Sequence, residues 1–128
     1  MLEIHFRRDS RQRLSSVFAD GHAGWADDGE DIVCAAASAI LQAAWMGLAE
    51  HAKVAVKAER NKGRLSLTWP EADRDRVDVV AIVATAELAL EQIARQYETH
   101  VRIRSEPEPE TRASKAGIST DKGEQSPL

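Results

Sequence analysis

Apolar and polar residues alternate in short runs at both ends of the chain. In LEIHFRR, the run from residue 2 to residue 8, Leu2, Ile4 and Phe6 alternate with polar side chains, which is typical of a half-buried strand. A polar turn leads into a second such run over residues 13–20, so we expect the two strands to pair as a hairpin. The run THVRIRS, residues 99–105, predicts a last strand with Val101 and Ile103 facing inward.

Between these strands the apolar residues recur at helical spacing in two segments. The first predicted helix starts after Asp31, a residue type that favours the N-cap position, and reaches about His51. The second runs from about Arg74 to Tyr97, and two more strands, residues 52–59 and 64–69, are joined by a turn at 60–63. The apolar faces of the helices consist of Val33, Ala36, Ala37, Ile40, Ala44 and Leu48 in the first, and of Val79, Ile82, Val83, Ala86, Leu90 and Ile93 in the second.

The order of these elements is ββαββαβ, which predicts an α+β fold with two layers. Both helices are expected to pack on one mixed or antiparallel sheet. The domain is expected to span residues 1–104. The remaining residues, 105–128, hold three of the four prolines and no aromatic residue, so we expect a disordered C-terminal tail.

Composition narrows the possible functions. The 128 residues carry a net charge of −4, so nothing indicates a basic surface for nucleic acid, and no direct nucleic-acid partner is expected. The single cysteine, Cys34, cannot form a disulfide within the chain, which favours a reducing, cytoplasmic setting. The N-terminus does not resemble a signal peptide, and the apolar runs are expected to fall short of a membrane span, so no membrane partner is expected.

The position of Cys34 is the main chemical feature of the sequence. If Asp31 caps the helix, Cys34 lies in the first turn, where free backbone N–H groups favour an anion. His22, twelve residues earlier, is then a candidate partner for a thiolate–imidazolium pair. The acidic residues of the intervening loop would oppose the thiolate. A buried core cysteine is the alternative, whereas a metal site is disfavoured because Cys34 and His22 offer too few ligands.

The segment GHAGWADDGEDIVCAAASAI, residues 21–40, resembles the signature of the ribosomal-processing cysteine proteases of the Prp family. The matching positions are Gly21, His22, Ala23, Gly24, Asp31, Ile32, Val33, Cys34, Ala35, Ala36 and Ser38. The similarity covers about residues 1–104, with a tryptophan at position 25 where family members usually have tyrosine.

This resemblance implies a small cytoplasmic cysteine endopeptidase without a cofactor or metal, usually a homodimer. Its substrate would be the N-terminal extension of a large-subunit ribosomal protein, ribosomal protein twenty-seven, cut after an aromatic pair. Cys34 would be the nucleophile and His22 the general base. Asp31, Ser38 and Gly21 would support the site or touch the substrate, and Asp31 would either orient His22 or cap the helix.

Two other functions are also compatible with the sequence. The alternative to a protease is a non-catalytic, ribosome-associated module that binds a peptide or RNA, for which the arginines at positions 7, 8, 11 and 13 are thin support. The other is a cysteine hydrolase acting on a different acyl substrate.

The second helix also has apolar residues beside its main stripe, at Val80, Ala81, Ala84 and Leu88, which favours packing against a second copy of the chain.

Overall fold

The computed structural model describes residues 1–21, 28–61 and 63–109, with the backbone alone over 28–31. The predicted ββαββαβ order is confirmed. The elements are β1 (Leu2–Arg8), β2 (Leu14–Asp20), α1 (Asp28–Met46), a π-helical turn (Gly47–His51), β3 (Lys57–Asn61), β4 (Arg64–Thr68), a 3-10 turn (Glu71–Asp73), α2 (Val77–Gln96) and β5 (Val101–Pro107).

The five strands form one mixed sheet in the order β3-β4-β2-β1-β5. The expected hairpins are confirmed, because β1 pairs with β2 and β3 pairs with β4, each antiparallel. Strand β4 also pairs antiparallel with β2, whereas β5 lies parallel to β1. The C-terminal strand therefore follows α2 back across the sheet and pairs with the N-terminal strand.

The core lies between one face of the sheet and the two helices. Ile4 and Phe6 of β1 are fully buried there, with exposed fractions of 0% and 1%. The predicted stripe of α2 is confirmed, and Leu90 is as deeply buried as Ile4. The predicted face of α1 included Ala36, but Ala36 is exposed and Leu41 is buried instead. The face of α1 that meets the sheet is therefore rotated slightly from the predicted one.

Strand β3 begins later than the sequence predicted. Residues 52–56 alternate like a strand, but Ala52 and Val54 are buried at the end of the first helix. The N–H of Val54 donates to the carbonyl of Leu48 at 2.8 Å, and Lys53 adopts a left-handed backbone with φ of 58°. These residues bury their apolar side chains by closing the helix end, so pairing in the sheet starts only at Lys57.

Strand β5 extends to Pro107, three residues beyond the predicted end of the domain. The reason is a set of polar contacts on the uncovered face of the sheet. His5 Nδ1 lies 3.2 Å from Glu106 Oε1, and Arg7 Nε donates to Glu106 Oε2 at 3.0 Å. The contacts with His5 and Arg7 lower the pKa of Glu106, against a smaller opposing effect of burial. Residues 110–128, most of the predicted tail, lie outside the described residues.

The stretch Ile32–His51 is helical over 20 residues and, by length and composition alone, is long and apolar enough to cross a membrane. This corrects the expectation that every apolar run falls short of that length. A core helix of a folded domain meets the same criterion. Here Val33, Leu41 and Leu48 are buried in the core between the helices and the sheet.

A buried carboxylate ties the β1–β2 turn to the segment before α2. Asp9 Oδ1 accepts hydrogen bonds from the backbone N–H groups of Arg11 and Arg13 at 2.9 and 3.1 Å. Its Oδ2 accepts from Arg13 Nε and Arg74 Nη1, both at 3.0 Å. Arg74 also donates to the carbonyl of Trp69, at 2.8 Å from its closer nitrogen. This network connects chain segments some sixty residues apart.

The charge of Asp9 makes folding stability depend on pH. Burial alone would raise the pKa of Asp9, but hydrogen bonds from Arg13, Arg74 and Arg11 outweigh it and lower the pKa from 3.8 to about 2. Because the pKa falls on folding, the ionised carboxylate stabilises the folded state above about pH 4. That contribution is lost as the pH drops toward 2.

We expect Asp9→Asn to lower the free energy of unfolding by roughly 1–3 kcal/mol at pH 7, because charge-assisted hydrogen bonds are lost. The difference from wild type should shrink as the pH falls from about 4 toward 2, as measured by urea unfolding. Glu71→Gln is the matched control, since Glu71 also pairs with Arg13 but is 71% exposed and should matter little. Equal losses in both variants would contradict this role of Asp9.

Candidate functional site

Cys34 lies six residues after the start of α1 at Asp28. The predicted helix start was therefore wrong: Asp31 is inside the helix and not its N-cap, and Cys34 is in the second turn and not the first. Acidic residues stabilise the first turn through the helix dipole, so the segment from Asp28 to Asp31 extends the helix toward its N-terminus. The free N–H groups of the helix end consequently lie a turn away from the thiol.

The rotation of α1 points the thiol out of the core. Val33 and Ala37 are buried at 2% and 1% exposure. Cys34 and Ser38 each follow one of these residues by one position, about 100° around the helix, and both are partly exposed. Cys34 and Ser38 therefore lie one turn apart on the same side of α1, at the margin of the sheet.

A cleft of about 290 Å³ opens beside these two side chains. One wall is α1, and the other consists of the end of the sheet and the β3–β4 hairpin. The residues that line it are Leu2, Ala19, Gly21, Cys34, Ser38, Leu41, Gln42, Arg60, Asn61, Gly63, Arg64 and Leu65. The structure thus brings three of the predicted site residues, Gly21, Cys34 and Ser38, to one cavity.

Gly21 is required where β2 leaves the sheet. Its φ of +122° is a conformation that other residues rarely adopt, and a Cβ placed there would lie 2.5 Å from the carbonyl oxygen of Met1. The N–H of Gly21 donates to the carbonyl of Gly63 at 3.1 Å, which fastens this point to the β3–β4 turn. The chain thus passes the mouth of the cleft immediately before His22.

We expect Gly21→Ala to destabilise the fold by about 1–3 kcal/mol, because the new Cβ meets backbone and the φ is unfavourable. Gly47→Ala is the control: its Cβ would lie 3.4 Å from Ile82, an ordinary contact, and alanine favours a helix. Thermal unfolding monitored by circular dichroism measures both. A Gly21→Ala protein as stable as wild type would contradict the strained backbone.

His22 lies outside the described residues, as does the side chain of Asp31. The predicted pairing of His22 with Cys34 and the predicted orientation of His22 by Asp31 therefore stay predictions. The other alternative for Asp31, capping of the helix, is wrong because Asp31 lies inside α1. Among the described residues, no group of three or more His, Cys, Asp or Glu side chains is placed to hold a metal ion.

Sequence reasoning missed the charged end of the cleft. Arg60 lines the cavity with its guanidinium carbon 5.8 Å from the ring centroid of Trp45, a residue of α1. Arg64 also lines the cavity, but its guanidinium carbon is 4.4 Å from the centroid of Phe18, on the face of the sheet away from the helices. The alternation of side chains within β3 indicates on which face of the sheet Arg60 lies. The helix residue that Arg60 contacts depends on the packing of α1.

Three comparisons with known proteins all find similarity to Prp cysteine proteases. The family model described as cysteine protease Prp matches residues 1–102. The ribosomal processing cysteine protease Prp of Staphylococcus aureus is 26% identical over 106 residues, which cover 80% of this chain and 97% of that protein.

Solved structures show the same fold. SMU.848 from Streptococcus mutans superposes with a TM-score of 0.72 at 23% identity, covering 84% of this chain and 96% of that one. The S. aureus ribosomal processing protease Prp in complex with a substrate peptide gives a TM-score of 0.66 at 23% identity, with coverages of 82% and 99%. A further structure of that protease holds a covalently linked product peptide, with a TM-score of 0.64.

Proposed function

The chain belongs to the cysteine protease Prp family, and on that basis we propose that it is an endopeptidase acting in ribosome maturation. Its substrate would be the N-terminal extension of a large-subunit ribosomal protein, ribosomal protein twenty-seven. One observation carries the proposal: the thiol of Cys34 lines an open cleft and is not packed into the core. This disfavours the alternative in which Cys34 is only a small core residue.

In the proposed reaction the Cys34 thiolate attacks the carbonyl carbon of the scissile peptide bond. His22 accepts the thiol proton and then donates a proton to the leaving amine as the C–N bond breaks. The N-terminal fragment remains on sulfur as a thioester. Water, deprotonated by His22, then attacks the thioester carbonyl, which releases a carboxylic acid and restores the thiol.

The cleft suits an extended peptide. It runs beside α1 past Ser38, and it combines apolar walls, such as Leu41 and Leu65, with polar ones. The related S. aureus protease has been captured with a substrate peptide and with a covalently linked product peptide. We propose that this chain likewise binds a peptide there and cuts after an aromatic pair, in the cytoplasm.

We expect Cys34→Ala to abolish cleavage of a peptide that carries a Phe–Phe pair before the scissile bond, because the nucleophile is lost. His22→Ala should slow cleavage by at least about a hundredfold, since general-base catalysis is typically worth this much. Product formation is followed by mass spectrometry. His22→Ala should also slow the alkylation of Cys34 by iodoacetamide near neutral pH.

His51→Ala is the control, because His51 is an exposed histidine at the far end of the first helix and should leave both rates unchanged. Cleavage by Cys34→Ala at the wild-type rate would overturn the protease assignment. A wild-type protein that binds the peptide without cutting it would favour the non-catalytic binding module. Unchanged alkylation in His22→Ala would show that the two side chains do not pair.

The second element of the proposal is a homodimer that forms through the helical layer. Val77, Val80 and Leu88 of α2 are 85%, 46% and 65% exposed, and Met46 of α1 is 63% exposed. Between the helices lies an apolar groove of about 490 Å³, lined mainly by small residues such as Ala43 and Ala81. In the most apolar part of the helical stretch Ile32–His51, only 28% of the residues are buried within the subunit. A second copy of the chain would cover this surface.

We expect Leu88→Glu to convert a dimer into a monomer, because a carboxylate would be buried in an apolar interface. Gln92→Glu is the control, since it adds the same charge at an exposed polar position one turn away. Light scattering at micromolar concentration measures the mass. A monomeric wild-type protein, or a dimer that survives Leu88→Glu, would overturn this interface.

A further inference from the structure

The cleft beside Cys34 extends along α1, and an arginine of the β3–β4 hairpin, Arg60, also lines it. Cys34, Ser38 and Gln42 are spaced four residues apart and line the cavity on one side of the helix. At about 1.5 Å per residue, Gln42 lies about 12 Å from Cys34 along the helix axis and Trp45 about 16 Å. The part of α1 that Arg60 contacts is therefore several peptide residues away from the nucleophile; this part of the cleft is called its far end.

The position of Arg60 at this far end follows from its place in the hairpin. Arg60 lies opposite Leu65 in the β3–β4 pairing, and Leu65 packs against the core. Directly paired residues share a face of a sheet, so Arg60 projects toward the helices. The ring of Trp45 lies 5.8 Å from the guanidinium carbon, in the range of a cation–π contact. This contact holds the positive charge at the end of the cleft.

The charge of Arg60 is not neutralised within the described part of the chain. Arg64, the other arginine of the hairpin, has Asp20 at 3.9 Å, whereas no described carboxylate lies within ion-pair distance of Arg60. Gln42, which lines the same cavity from α1, is a neutral amide. The part of the cleft next to Arg60 therefore offers a positive charge, unpaired among the described residues, and a hydrogen-bonding amide to whatever occupies it.

We propose that Arg60, supported by Trp45, forms a distal subsite for an acidic side chain of the peptide substrate. The proposal rests on the function above, in which the cleft holds an extended peptide. Such a peptide advances about 3.3 Å per residue, so 12–16 Å corresponds to about four or five residues from the scissile bond. A carboxylate at that position accepts charge-assisted hydrogen bonds from the guanidinium, and an amide of the same shape accepts weaker ones.

Binding to the Cys34→Ala variant tests the subsite without requiring cleavage. The probes are peptides with a Phe–Phe pair before the scissile bond and either Asp or Asn at one position, two to six residues away on either side. We expect one position, four or five residues from the bond, to favour Asp by about 1.4-fold to fivefold, the range for an exposed ion pair. Calorimetry at low salt measures it, and high salt should reduce the preference.

Substitutions in the Cys34→Ala background identify the residue responsible. Arg60→Gln should remove the preference for Asp, and Arg60→Glu should reverse it in favour of Asn. Arg64→Gln is the matched control, because its guanidinium lies over Phe18 on the other face of the same hairpin and the preference should persist.

The proposal would be overturned if no position favours Asp, if the preference survives Arg60→Gln, or if Arg64→Gln causes an equal loss. Absence of binding by every peptide would overturn it as well. Failure of the wild-type protein to cleave would instead overturn the protease function. The binding series therefore separates the two outcomes.

Discussion

The packing of α1 against the sheet is the interaction on which the candidate site depends. Val33, Ala37 and Leu41 form a buried stripe, and their contact with the sheet sets the rotation of the whole helix. Each residue advances the side-chain direction by about 100°, so the thiol of Cys34 emerges beside this stripe. A different rotation would bury the sulfur or turn it away from the hairpin. The hydrophobic core thereby orients the thiol of Cys34, which itself lies outside the core.

The opposite wall of the cleft depends on close backbone contacts at the sheet margin. Gly21 passes within contact of Met1 and donates a hydrogen bond to Gly63, so the end of β2, the start of β1 and the β3–β4 turn are held together. The β3–β4 hairpin then presents different chemistry on its two sides. Arg60 faces the helix and the cleft, whereas the guanidinium of Arg64 stacks on Phe18 on the uncovered face. One short hairpin thus contributes to two surfaces of unlike character.

Much of the fold could be predicted because each element has a local pattern. Alternation identified β1 and the inward side chains of β5, and 3.6-residue spacing identified the stripe of α2 that contains Val83 and Leu90. The predictions failed where one sequence pattern is compatible with two different local structures. Ala52 and Val54 alternate like a strand but are buried at a helix end. The N-terminus of α1 was misplaced because acidic residues suit a first helical turn as well as a loop.

The sequence by itself determined the order of the elements, their apolar faces and the motif that contains His22 and Cys34. Each of these three features depends only on residues that lie close together in the sequence. Only the tertiary structure decided which distant segments meet. It placed β5 parallel to β1, it joined Asp9 to Arg74, and it set Arg60 over Trp45 at the end of the cleft. These contacts depend on how complete elements pack together. Periodicity within one element carries no information about the side chain that a different element will bring beside it.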